Sequence, residues 1–125
     1  MPIDVADELY ESIRRDETDV AEIARRLGWK SASIAKVKHH LFIQEHWLDQ
    51  YESLGVPAIL ARFDSDEAIA RAWLRLKGGG FSDRDLRLLR HEAAEAWCMR
   101  KHGPSYRRAH ATAQRRFPAP ASLWS

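Results

Sequence analysis

Apolar residues along this chain recur at spacings of three and four, the period of an amphipathic helix, and no stretch alternates regularly enough to predict a strand. Val5, Leu9 and Ile13 form one stripe, which predicts a first helix over 5–14. Val20, Ile23, Ala24 and Leu27 occupy the i, i+3, i+4 and i+7 positions of a second, with Thr18 as its expected N-cap and Gly28 as its stop. A third begins at Ser31 or Ser33 and carries Ile34, Val37, Leu41 and Leu48 inward, with a bend expected after Phe42 and a break at Gly55-Val56-Pro57. The fourth, over 66–76, buries Ile69, Trp73 and Leu76 and ends at Gly78-Gly79-Gly80. Those three glycines are followed by no GK[ST] and preceded by no strand, so they read as a helix-to-helix link rather than a phosphate loop. Ser82-Asp83-Arg84-Asp85 sets a capping serine three residues before an acid and opens a fifth helix, over 82–102. Gly103-Pro104 closes it, and a sixth helix over 105–117 turns Tyr106, Ala109, Ala113 and Phe117 inward.

The fold these elements predict is all-α: a compact bundle of five or six helices in a single domain over 1–117, with an irregular C-terminal tail over 118–125. A length of 125 residues suits one domain. Hydrophobic residues at 45% and charged residues at 30%, with five Trp, four Phe and three Tyr, give a core that a disordered chain would lack. The lone Cys98 excludes an intramolecular disulfide and any CxxC zinc knuckle. No apolar run approaches the roughly 20 residues that span a bilayer, and Met1-Pro2-Ile3-Asp4 does not open a signal peptide. The expectation is a protein that is cytoplasmic in its folded form, makes no membrane contact and, if exported, is carried by another machine or by a larger parent chain.

Charge is distributed unevenly. Through Glu95 there are 14 Lys and Arg against 18 acids, a formal −4, whereas 96–125 holds six cations and no acid. A basic end of this kind suits phosphate, and it suits a solvated helix face equally.

The candidate chemistry begins at His91-Glu92-Ala93-Ala94-Glu95, an HExxE string inside the fifth helix. Residues four apart stack on one helical face, so His91 and Glu95 are neighbours, Cys98 and His102 continue the line, and Glu92 lies one step round it. A carboxylate brought against an apolar wall becomes a better base, and an imidazole beside it a better acid. HExxE differs from the zinc helix HExxH in its last ligand, so a divalent metal ion held by His91, Glu95 and His110 is conceivable, although acid–base work needs no ion. A second cluster, Lys38-His39-His40-Leu41-Phe42 followed by His46, is ambiguous: one unbroken helix puts His39 and His46 on a shared face, and a kink after Phe42 reverses the choice in favour of His40. Residues 20–42 also have a helix-turn-helix look, in which Lys30, Ser31, Ser33 and Lys36 would meet a DNA groove, and the same pattern is how small bundles are built.

Four strings together resemble a known family: Ile23-Ala24 with Leu27-Gly28, then Lys38, His40, Leu41, Phe42 and His46, then Asp85, Leu88, Leu89, His91, Glu92 and Glu95, then Tyr106, Ala109 and His110. They are similar to the C-terminal toxin domains of bacterial polymorphic toxin systems, which are appended to large secreted or phage-type carriers. The resemblance implies an effector domain delivered into a competitor cell, a nuclease, neutralised in its producer by an immunity protein. It implies a site of His40, His46, His91, Glu92, Glu95 and His110, with Lys38 holding phosphate. The basic end adds Arg107, Arg108 and Arg115 as backbone-binding residues for nucleic acid. Rival readings are a non-catalytic DNA-binding module, a virion or secretion-apparatus component, and a metal-dependent hydrolase built on the HExxE helix.

Overall fold

The computed structural model describes residues 4–48, 54–55, 57, 59–102 and 105–116. Six α-helices are present among them: α1 (Val5–Arg15), α2 (Asp19–Leu27), α3 (Ser31–Lys38), α4 (Glu67–Gly78), α5 (Asp83–His102) and α6 (Tyr106–Arg116). The all-α expectation therefore holds, with one addition. His46–Leu48 (β1) and Ile59–Ala61 (β2) form a short antiparallel ribbon in which His46 faces Ala61 and Leu48 faces Ile59.

Local chemistry accounts for most boundaries. Asp4 caps α1 by accepting from the Ala6 amide at 2.9 Å, and Asp66 caps α4 by accepting from Ala68 and Ile69. Thr18 precedes α2 as expected but makes no capping bond; its hydroxyl donates to Asp16 instead. Gly28 and Gly79 end α2 and α4 with φ of 70° and 89°, the left-handed conformation that glycine adopts without a Cβ penalty. At α5, Asp85 accepts from the Ser82 amide at 3.2 Å, one half of the expected capping box, and also receives Arg75 through two 2.8 Å bonds. The expected stop at Gly103-Pro104, the side chains of His102 and Tyr106, Phe117 and the tail over 118–125 lie outside the described residues.

Two expectations are corrected. The inward stripe of α1 is Ala6, Tyr10 and Ile13, with Leu9 at its margin and Val5 45% exposed, so the helix is rotated from the Val5–Leu9–Ile13 line. The third helix does not reach Leu48. After α3 the chain widens into a single π-helical turn, His39–Ile43, closed by the Gln44 amide on the His39 carbonyl at 2.7 Å, and then extends into β1. The Arg14 side chain, donating to the Phe42 carbonyl, satisfies an acceptor that this widening releases.

The apolar core lies between α1, α2, α3 and α4 and the first half of α5. Tyr10, Ile13, Ile23, Ile34, Val37, Phe42, Ile69, Trp73 and Leu76 meet Leu88 and Leu89 there. Phe42 is its centre, edge-on to Tyr10 at 4.7 Å and to Trp73 at 5.4 Å. One polar group crosses this core in paired form: buried Asp19 accepts from Lys38 Nζ and from Trp73 Nε1, each at 2.9 Å.

Candidate functional site

Beyond Leu88 and Leu89, the inward face of α5 stops being apolar. His91, Glu92 and Glu95 occupy its next positions, and none is more than 1% exposed. Three hydrophobic side chains would fill this space at lower desolvation cost, so the polar set needs partners, and it finds them on other elements.

Glu95 is the hub. Its Oε1 accepts from His40 Nε2 of the π turn at 2.8 Å, and its Oε2 faces His110 Nδ1 of α6 at 3.1 Å and His91 Nε2 of its own helix at 3.5 Å. Glu92 Oε2 lies 3.7 Å from His40 Nε2. Thus α5, α6 and the π turn each contribute an imidazole to one carboxylate. The widened turn settles the choice between neighbouring histidines: His40 is buried against Glu95, and His39 is exposed.

His46 is a neighbour of this cluster rather than a contact of Glu95. Its Nε2 donates to the His40 carbonyl at 2.8 Å, and its ring stacks on Phe63 at 4.3 Å, with His40 edge-on to the same Phe63 at 5.2 Å. Burial pushes the His46 imidazole down, against the opposing pull of its bond to the His40 carbonyl. A neutral ring that donates from Nε2 carries its lone pair on Nδ1, and that buried atom has no hydrogen-bond partner among the described residues.

The two carboxylates are driven apart. Burial raises Glu92 well above the usual carboxylate range, reinforced by the charges of Glu95 and Asp66. Burial also pushes Glu95 upward, but the imidazoles of His110, His40 and His91 gathered on it outweigh this and hold that group well below the usual range. A proton-holding Glu92 beside an anionic Glu95 is the pairing that acid–base chemistry uses. His91, Glu95 and His110 also offer three ligand atoms within 4.8 Å of one another, as do His40, Glu92 and Glu95.

A cavity of about 420 Å³ opens beside the cluster, lined among others by Lys36, His39, His40, His46, Met99 and Arg100. A second groove of about 330 Å³ shares Lys36, Ala96 and Arg100 with it and adds Trp29, Ser33 and Trp97. Cationic and aromatic side chains therefore run along α3 and α5 up to the histidines.

Of the residues expected at the site, the structure brings together His40, His91, Glu92, Glu95 and His110, with His46 one layer out. Lys38 is elsewhere. It is buried against Asp19, and its Nζ also donates to the Asp16 carbonyl at 2.6 Å, so its cation is engaged inside the core and is not available to phosphate at this cavity. Arg107, Arg108 and Arg115 are exposed on α6 and do not line the cavity, whose cations are Lys36 and Arg100. Sequence reasoning missed Phe63, Arg100 and Trp97 as parts of this region and gave Lys36 only a helix-turn-helix role. Arg100 and Trp97 follow on the HExxE helix, so a signal was present for them; an isolated Phe63 in a non-helical stretch carried none. Comparison of the chain with protein-family models, with curated proteins and with solved structures gave no match to any of them.

Proposed function

We propose that this chain is an effector domain of toxin type that hydrolyses phosphodiester bonds, with nucleic acid as substrate. The observation that carries the reading is the convergence of His40, His91 and His110 on Glu95 beside a cavity rimmed by Lys36 and Arg100. Phosphodiester cleavage needs a base to activate the nucleophile, an acid for the leaving oxygen and fixed positive charge for the phosphate. Glu95 with its imidazoles serves the first need, His110 or Glu92 the second, and Lys36 with Arg100 the third. Trp29 and Trp97 along the adjoining groove give bases a stacking surface, which suits unpaired strands. In this reading a cognate immunity protein covers the cavity in the producing cell, and a larger carrier delivers the domain.

Incubation of the purified protein with plasmid, single-stranded DNA, transfer RNA and ribosomes tests the proposal. Cleavage of at least one, lost in His91→Ala with an unchanged circular dichroism spectrum, is expected. Intact substrates throughout, or full cleavage by His91→Ala, would remove the reaction.

One observation favours a second reading. Lys30, Ser31, Ser33 and Lys36 are all exposed on and before α3, following the left-handed Gly28 turn from α2. In a DNA-binding module without catalysis, Ser33→Ala with Lys36→Ala abolishes binding while His91→Ala leaves it intact.

A further inference from the structure

Three atoms of the cluster are spaced as ligands of an ion. His91 Nε2 lies 3.5 Å and His110 Nδ1 3.1 Å from one oxygen, Glu95 Oε2, and all three fall within 4.8 Å of one another. Ligand bonds of about 2.0–2.1 Å put neighbouring donor atoms about 3.0 Å apart at octahedral angles and about 3.4 Å apart at tetrahedral ones. Of the two observed separations, 3.1 Å lies inside that interval and 3.5 Å just above its tetrahedral end. His40, by contrast, approaches Glu95 Oε1 at 2.8 Å, a hydrogen-bond length.

We propose that His91 Nε2, Glu95 Oε2 and His110 Nδ1 bind one first-row divalent cation of the zinc class, and that His40 is a positioning residue that orients Glu95 through its other oxygen. Two imidazoles and a carboxylate favour Zn²⁺, Co²⁺ or Ni²⁺ over Mg²⁺ and Ca²⁺, which prefer all-oxygen shells. The scaffold is fixed before binding, since His91 and Glu95 are one turn apart on α5 and His110 comes from α6, packed beside it. Charge points the same way. Glu95 is buried, and among the described residues every ion-pair partner it has is a histidine, so a dication would supply positive charge that no Lys or Arg brings. A hydrogen bond from a neighbouring donor to a ligating carboxylate is the usual means of aiming it, which is the part given to His40. Three protein ligands leave a coordination position open, as in hydrolytic sites. The inference deepens the hydrolase reading and redistributes its roles: with the ion bound, Glu95 and His110 would be ligands, the ion would activate the nucleophile and Glu92 would remain as the acid, whereas an ion bound with no turnover would keep the site and discard the reaction.

Calorimetric titration of chelator-stripped protein with ZnCl₂, CoCl₂ and MgCl₂ is the test. A single Zn²⁺ per chain with a raised Tm, visible absorption bands for the Co²⁺ form and no response to Mg²⁺ are expected. His110 is only part-buried, so His110→Ala should keep the wild-type circular dichroism spectrum and lose at least about tenfold in Zn²⁺ affinity, no less than the loss of an orienting partner costs. His40→Leu should weaken Zn²⁺ by about ten- to a hundredfold, whereas His40→Gln, which retains an N–H donor, should restore most of it. Absence of Zn²⁺ binding, wild-type affinity in His110→Ala, or Mg²⁺ binding in place of Zn²⁺ would overturn the ion site. Equal affinities in His40→Gln and His40→Leu would overturn the positioning role.

Discussion

His40 and Glu95 stand 55 positions apart in the chain, and their side chains meet at 2.8 Å with neither more than 2% exposed. A π turn on one side and the buried face of α5 on the other are arranged around that contact. Replacing His40 by Ala strips Glu95 of its shortest bond and leaves a buried carboxylate under-compensated, a change that costs about 3–5 kcal/mol in comparable buried pairs. Urea denaturation should show this loss for His40→Ala and a much smaller one for His40→Gln.

A second buried pair provides a control remote from the proposed chemistry. Asp19 accepts from both Lys38 and Trp73, so Asp19→Ala removes the counter-charge of a buried ammonium and the acceptor of an indole N–H together. The expected cost is again about 3–5 kcal/mol. Lys38→Met, which keeps the packing but leaves Asp19 a buried carboxylate without its counter-charge, should cost a similar amount. Neither variant should change the substrate preference of whatever cleavage is found; altered preference would return Lys38 to the site.

The glycine link after α4 separates conformational from steric effects. Gly78 is helical with open space around it, so Gly78→Ala should stabilise by about 0.5–1 kcal/mol. Gly79 has φ of 89°, and a Cβ there would lie 2.8 Å from Arg26 Nη1, the movable end of a long side chain. Backbone strain rather than that contact then dominates, and Gly79→Ala should destabilise by about 1–2 kcal/mol. Thermal melts of the two variants should move in opposite directions.

Acid sensitivity should appear at Asp85. Burial pushes this carboxyl up, but the two bonds from Arg75 outweigh it and leave it below its ordinary value. A depressed folded-state value gives stability that is present above the unfolded value and lost as pH falls through the folded one. Arg75 is 45% exposed, so solvent screening limits the pair to about 1 kcal/mol. Asp85→Asn should therefore be less stable than wild type at pH 7, and the two should converge as pH falls through the lowered folded-state value of Asp85. A constant gap across that range would assign the effect to packing.

The sequence carried the helices well because their period is local. Ile23, Ala24 and Gly28 define α2 without reference to anything distant, and Ile69, Trp73 and Leu76 do the same for α4. It could not show that the third helix ends at a π turn, whose contacts with Arg14 and Glu95 form only in three dimensions. The rotation of α1 has a similar origin: Tyr10 packs on Phe42, and a polar-tipped ring was passed over in favour of Leu9. At the site, HExxE was visible because helix spacing alone joins His91 to Glu95. Lys38 was misread for the complementary reason, since its partner Asp19 lies on another helix and nothing in the spacing of either residue reveals the pair.

The proposed cleavage turns on the carboxylate of Glu95 and the imidazoles gathered on it. Glu95→Gln keeps the shape and removes the charge, so its cleavage rate on whichever nucleic acid the wild type degrades reads that role. A loss of about 10²–10⁴-fold with the circular dichroism spectrum unchanged is expected. A folded Glu95→Gln protein cutting at the wild-type rate would contradict it.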